Sequence, residues 1–362
     1  MKNFTDKQWD NVLENYRKWW DVKLGRPILP AIFCGGINPG RPEPKNPPPA
    51  FSNVHDFSIT PEQIVDRIDY DLSGYEYFLD AYPCMHMHAY GPGVVAAFLG
   101  AKLENTNDTV WFHPQKQLPP SELEFKYDEN NIWLNRIKDI YREGMKKWGG
   151  EVVMAMTDLG GMLDILATFC GSENLLLALY DEPAEVKRCV NELQKLWFRF
   201  YDEINDILKG SRAYTVWAGI LSEKPSYMLQ SDFSYMIGTD MFEEFVMPEL
   251  ESSASRLYKS FFHLDGEGEL PHLDCLLKSK QIAGIQWVPG DGEPMKKDWS
   301  AVYKRISGAE KKIQAVYDMT DPRLKETVAA VNRPDDICAQ FGYFPAADKK
   351  QAIEKLKALG AV

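Results

Sequence analysis

Eight short apolar runs, each followed by a stretch with helical periodicity, constrain this chain more than any other feature. They begin near residues 26, 83, 151, 213, 260, 282, 311 and 337. Alternation of strand and helix implies parallel strands, because a parallel neighbour is reached only through a crossover. Eight such units in 362 residues favour a closed ring over an open sheet. The expected fold class is therefore α/β, a single (β/α)8 TIM barrel over 26–362 with long strand-end loops, preceded by an N-terminal helical extension at 1–25. A doubly wound sheet is the alternative, but the G-x-G-x-x-G of a dinucleotide site is absent.

Local punctuation supports the helices. Thr5 with Gln8, and Thr60 with Pro61 and Gln63, have capping-box spacing. Gly149 and Gly150 should end a helix over 131–148, and a long helix is expected at 182–209. Asp240 and Glu243 should open a helix running to about 259. The segment 36–51 is too rich in Pro and Gly to be helix or central strand, and reads as a long loop. In the first helix Trp9, Val12, Leu13, Tyr16, Trp19 and Trp20 form an aromatic stripe, suited to a core or to the interface of a homodimer.

Composition removes several classes of function. The net charge is −12, and no run of Lys or Arg offsets it, so a nucleic-acid partner is not expected. Six cysteines without a C-x-x-C pair suggest buried thiols rather than a disulfide framework or zinc knuckle. The first ten residues lack the apolar stretch of a secretory leader, and no run is long enough to span a bilayer. The expectation is a cytoplasmic protein with a small-molecule substrate and no membrane.

In an α/β barrel the chemistry gathers at the carboxyl ends of the strands. His263 and Asp265 stand two apart on one strand, so both face the same side. Imidazole plus carboxylate can ligate a divalent metal or act as an acid–base pair; a hydrogen-bonded pair that merely orients a loop is the plainer reading. His86 and His88, with Cys84, repeat this spacing, and a polar strand interior is favoured over ligation there. Asp158 precedes Gly160 and Gly161, where it can bind a substrate or cap the next helix. Trp217, Gln286, Trp287 and Tyr317 are placed to shape a pocket. Asp232, Tyr235 and Asp240 lie ahead of a helix and are placed at the same mouth.

Four stretches, in order along the chain, resemble the uroporphyrinogen-decarboxylase superfamily: GPGVVAAFLGAKLE (91–104), GSENLLLALYDEPAEV (171–186), SDFSYMIGTDMFEEFVMPEL (231–250) and FFHLDGEGELPHLDCLLK (261–278). The superfamily includes decarboxylases and corrinoid:coenzyme M type methyltransferases, and the resemblance implies the same barrel. The arginine-rich motif of the decarboxylases is missing from ILPAIFCGG, and no His follows His272, which argues against a porphyrinogen substrate. The methyltransferases bind zinc with His-x-Cys on this strand and a later Cys. Here His263 matches the histidine and Asp265 stands in the cysteine's place, with Glu267 or Cys338 as the further ligand. The resemblance thus implies a metal-assisted methyltransferase, with Zn2+ as cofactor and a corrinoid protein as partner. The alternatives are a cofactor-independent decarboxylase, using Asp80 or Asp158 against a ring nitrogen, and a non-catalytic binding barrel, which should lack an ordered polar cluster.

Overall fold

The computed structural model describes residues 3–46, 48, 54–106, 109–290, 292 and 294–360. The loop expected at 36–51 is irregular where it is described; residues 47 and 49–51 lie outside the described residues.

The fold is α/β. Its central ladder has five parallel strands that are neighbours in sequence order: Met228–Gln230, Ser260–Asp265, Ile282–Val288, Lys312–Ala315 and Ile337–Ala339. A parallel bridge from Ile28 to Cys338 extends the last strand. Cys84–Met85 pairs in parallel with Val153–Met154, and Met156 bridges Val216. Among the described residues no ladder joins 214–216 to Met228–Gln230, so a closed eight-stranded ring is not formed by continuous pairing.

The expected segments mostly recur, but shorter. The run at 83–90 is a strand only at Cys84–Met85, and His88–Tyr90 is a single 3-10 turn. The run at 213–221 folds back on itself, with Tyr214 bridging Ser222 antiparallel and Gly219 at φ +77° making the reversal. The run at 337–345 breaks at Gln340–Phe341, and Gly342–Pro345 joins a different sheet, parallel to Pro30–Cys34. Tyr75–Leu79 completes that sheet antiparallel to Pro30–Cys34, and the hairpin Lys102–Asn105 with Val110–His113 stands apart.

The helix starts follow their caps. Thr5 and Thr60 each accept the Gln N–H three residues on, while the Gln side chain returns the bond. Asn131 caps Ile132–Trp148, which Gly149 ends in the left-handed conformation. The segment 239–256 is not one regular helix: five residues, Phe242–Val246, wind as a π-turn before Met247–Arg256. Pro248 lacks the N–H that would bond the carbonyl of Glu244, which loosens the winding there.

Most of the aromatic stripe of the first helix is internal, with Leu13 and Trp20 only partly buried. Trp9 and Trp19 are 0% exposed and Tyr16 is 2%. Trp9 and Tyr16 meet Tyr82 at 5.9 and 6.0 Å, and Lys312 reaches from the central ladder to the carbonyl of Trp19. Among the described residues no single helix is long and apolar enough to cross a membrane.

Candidate functional site

Strand alternation and register together build the site. His263 pairs with Gln230 on one side and Gln286 on the other, and Gln286 pairs with Gln314, which pairs with Cys338. One row of side chains therefore runs across all five strands on a single face.

Hydrogen bonds along this row have a definite direction. The carbonyl of Ala218 can only accept, and it takes the Nε2 amide of Gln314 at 2.7 Å. Gln314 must then offer Oε1 to Gln286, whose Nε2 donates to it at 2.6 Å. That leaves Gln286 Oε1 facing His263 Nδ1, and only a protonated Nδ1 satisfies it. The relay fixes the neutral imidazole as the Nδ1–H form, with the Nε2 lone pair directed toward carboxylates.

Those carboxylates are Asp265 and Asp232. Asp265 Oδ2 lies 3.7 Å from His263 Nε2. Ligand atoms of Asp232, His263 and Asp265 all fall within 4.8 Å of one another. Burial alone would lower the pKa of His263; the bond to Asp265 and the charges of Asp232 and Asp265 raise it overall. Trp217 closes one side, edge-on to His263 with centroids 5.2 Å apart.

More acid surrounds the triad. Asp158 is buried, accepts the Gly160 N–H at 2.9 Å, and burial pushes its carboxyl up to about 6. It does not cap the following helix, whose cap is Gly161. Asp164, in that helix, accepts the Phe233 N–H at 2.7 Å and the Asp232 N–H at 3.2 Å. Asp232 keeps solvent access but lies in the concave mouth. Burial and mutual repulsion raise the carboxyl of Asp164; burial and the nearby Asp158 and Asp265 raise that of Asp232. Glu269 is fully buried, takes the Asp265 N–H at 2.9 Å, and burial pushes it up to about 9.

Several expected site residues stand elsewhere. Glu267 is turned outward, paired with Lys297 at 2.7 Å. Cys338 sits at the far end of the row, three strand spacings of about 4.8 Å each from His263, too far to share an ion with it. Trp287 is one residue out of phase with Gln286, so it faces the helices and packs edge-on against Trp299 at 5.1 Å. Tyr317, likewise out of phase with Gln314, packs on Tyr303 beneath Arg323. Asp80 is a structural anchor: it takes two bonds from Arg26 (2.6 and 2.9 Å), one from the Leu29 N–H and one from Asn15.

His86 and His88 stack at 4.9 Å and line a separate hollow with Trp217, Phe341 and Tyr343. Burial, then the neighbouring His88, lowers His86 to about 3, and His88 is lowered by burial. Tyr235 lies over Gly266 and Gly268, where added Cβ atoms would approach its ring to 2.9 and 2.7 Å. Gln230, Gln314, Asp164 and Glu269 were not anticipated. A signal existed for the two amides: MLQ and KIQA each carry one Gln among apolar strand residues, matching IQWV.

No protein-family model matches the chain, and no curated protein matches it in sequence. Its structure is similar to that of a methyltransferase from Methanosarcina mazei, with a TM-score of 0.62 and 10% identity over 97% of this chain and 98% of that one. At this identity the likeness shows a shared fold.

Proposed function

We propose that this protein is a metal-assisted methyltransferase, with its parallel strands forming the arc of a (β/α)8 barrel of the uroporphyrinogen-decarboxylase superfamily. The observation that carries the reading is the convergence of Asp232, His263 and Asp265 within 4.8 Å, with the second nitrogen of His263 already engaged by Gln286. One imidazole nitrogen and two carboxylate oxygens fit a divalent cation such as Zn2+, with room for a substrate atom as a further ligand. His263 and Asp265 would hold it with Asp232, in place of the Glu267 or Cys338 suggested by sequence. When bound, the ion would supply Lewis acidity to a substrate heteroatom. Gln286 and Gln314 would keep the His263 lone pair aimed at it, Trp217 would exclude water from one side, and Asp158 would face the substrate. The name of the structural neighbour supports methyl transfer, and a corrinoid carried by a partner protein is the methyl donor or acceptor this reading supposes.

For a porphyrinogen-type decarboxylase only Asp158 would remain, because Asp80 is engaged by Arg26, Asn15 and the Leu29 N–H, and neither Lys nor Arg is among the described residues lining the adjoining cavity to hold the acidic side chains. A non-catalytic barrel is disfavoured by the ordered polar row. The test is metal analysis and methylcobalamin turnover of the purified protein. We expect about one zinc per chain, lost with turnover on replacing His263 by Ala. Sub-stoichiometric metal after zinc loading, together with unchanged turnover in that variant, would remove the metal role.

A further inference from the structure

A cavity of about 560 Å³ opens beside the triad and shares Asp232 with it. Its walls come from the strand Val110–His113, the helix Met162–Cys170 and the turn Asp232–Met236. Trp111, Phe112, Ile165 and Phe233 give it apolar and aromatic surface. Among the described lining residues its ionisable groups are the carboxylates of Asp164 and Asp232 and the imidazole of His113, which faces Glu104 at 3.6 Å; neither Lys nor Arg lines it.

Gln230 supplies an independent observation. It lines the same cavity, is 4% exposed, and its Oε1 is buried without a hydrogen-bond partner. Leaving such an acceptor unmet costs about 1–3 kcal/mol, which a ligand N–H would recover once rotation of the Gln230 side-chain amide uncovers the oxygen. Two carboxylates repel a carboxylate, phosphate or sulfonate, and they attract a cation. Aromatic faces add cation–π attraction and apolar contact.

We infer that this cavity binds a protonated amine with an apolar or aromatic body, its ammonium donating to Gln230 Oε1 and Asp232 and its body lying against Trp111, Phe112 and Phe233. The inference rests on the methyltransferase reading only for its consequence, that an amine would lie beside the reacting atoms. The amine site itself needs no metal.

The test is calorimetry on the full chain with benzylammonium, benzyl alcohol and benzoate, first after chelator treatment and then after zinc loading. Saturable one-to-one binding of benzylammonium is expected in the chelated protein. Benzyl alcohol should bind at least about tenfold more weakly, and benzoate should not bind. Gln230→Leu and Trp111→Ala should each weaken benzylammonium about tenfold; Trp111 is 59% exposed on the hairpin, so its removal spares the core and its effect on binding is read in a folded protein. Equal affinity for the alcohol, binding of benzoate, or affinity unchanged in Trp111→Ala would overturn the inference. Zinc binding without benzylammonium binding would sink the amine site alone. Benzylammonium binding without zinc would sink the metal reading alone.

Discussion

Replacing Gln314 by Leu tests the hydrogen-bonded row at its least obvious member. Gln314 is fully buried and touches neither a candidate ligand nor the cavity. The substitution deletes the 2.6 Å bond to Gln286 and the 2.7 Å bond to the Ala218 carbonyl. Two buried groups then lose partners, at about 1–3 kcal/mol each. Gln286, no longer held by Gln314, can flip its amide, which exchanges an unmet donor for an unmet acceptor and turns an NH2 toward His263 Nδ1. The ring then accepts at Nδ1 and carries its proton on Nε2, the atom needed for a metal. Loss of such an outer partner typically weakens metal affinity 10–100-fold, about 1.4–2.8 kcal/mol. Zinc affinity is measured by competition with a chromophoric chelator, beside the melting temperature and the 15N shifts of His263. A purely structural role would lower the melting temperature and leave the affinity of the folded protein alone. Affinity within about twofold of wild type in folded Gln314→Leu, or an unprotonated Nδ1 in the wild type, would refute the relay.

Three further perturbations probe other parts of the argument. Asp80→Ala strands the Arg26 guanidinium, 14% exposed in its side chain, and should cost about 3–5 kcal/mol in urea unfolding; a loss below about 1 kcal/mol would contradict an anchor role. Gly161→Ala would place a Cβ 2.2 Å from the Gln230 carbonyl oxygen and 2.5 Å from Asp164 Oδ2, so about 1–3 kcal/mol of stability should go, with weakened benzylammonium binding; full retention of both would argue against the tight seat of Gln230. Burial raises Glu249 from an ordinary 4.5 to about 8. The folded state therefore holds that proton more tightly, its contribution is complete below about 4.5 and is lost as pH rises toward 8, by at most about 1.4 kcal/mol per pH unit. Glu249→Gln should flatten this fall in a pH series of denaturation curves, and an unchanged slope would remove the assignment.

The parts of this protein legible in sequence are those set by short-range rules. Capping boxes at Thr5 and Thr60 and the stop at Gly149 depend only on neighbours in the chain. The shared face of His263 and Asp265 follows from the two-residue period of a strand. That parity also decides against Trp287 and Tyr317, but only once Gln286 and Gln314 are known to point inward. Glu267 misled because the period ends at Gly266, where φ is +83°; the next residues wind as a 3-10 turn, and Glu269 rather than Glu267 returns to the strand end. Cys338 misled for a different reason. It shares the row of His263, and only the register of three ladders shows how far along it lies. The strand Met228–Gln230 leaves no mark in the sequence because three residues show no periodicity, although it carries Gln230 and leads directly into Asp232.

The division of labour between strands and loops follows from what each can hold still. The inward row on the ladder is His263 flanked by three glutamines, neutral groups whose value lies in direction, and ladder pairing fixes direction best. The carboxylates of Asp158, Asp232 and Asp265 stand at strand ends and in the turns beyond them, where backbone N–H groups such as that of Gly160 and residual water soften the cost of charge. Asp164 and Glu269 extend this basin, and burial raises both. Carboxyls gathered so closely around one imidazole must be relieved by protons or by a cation. A metal ion at the triad and an ammonium in the adjoining cavity would each supply that relief, and either should displace protons as it binds.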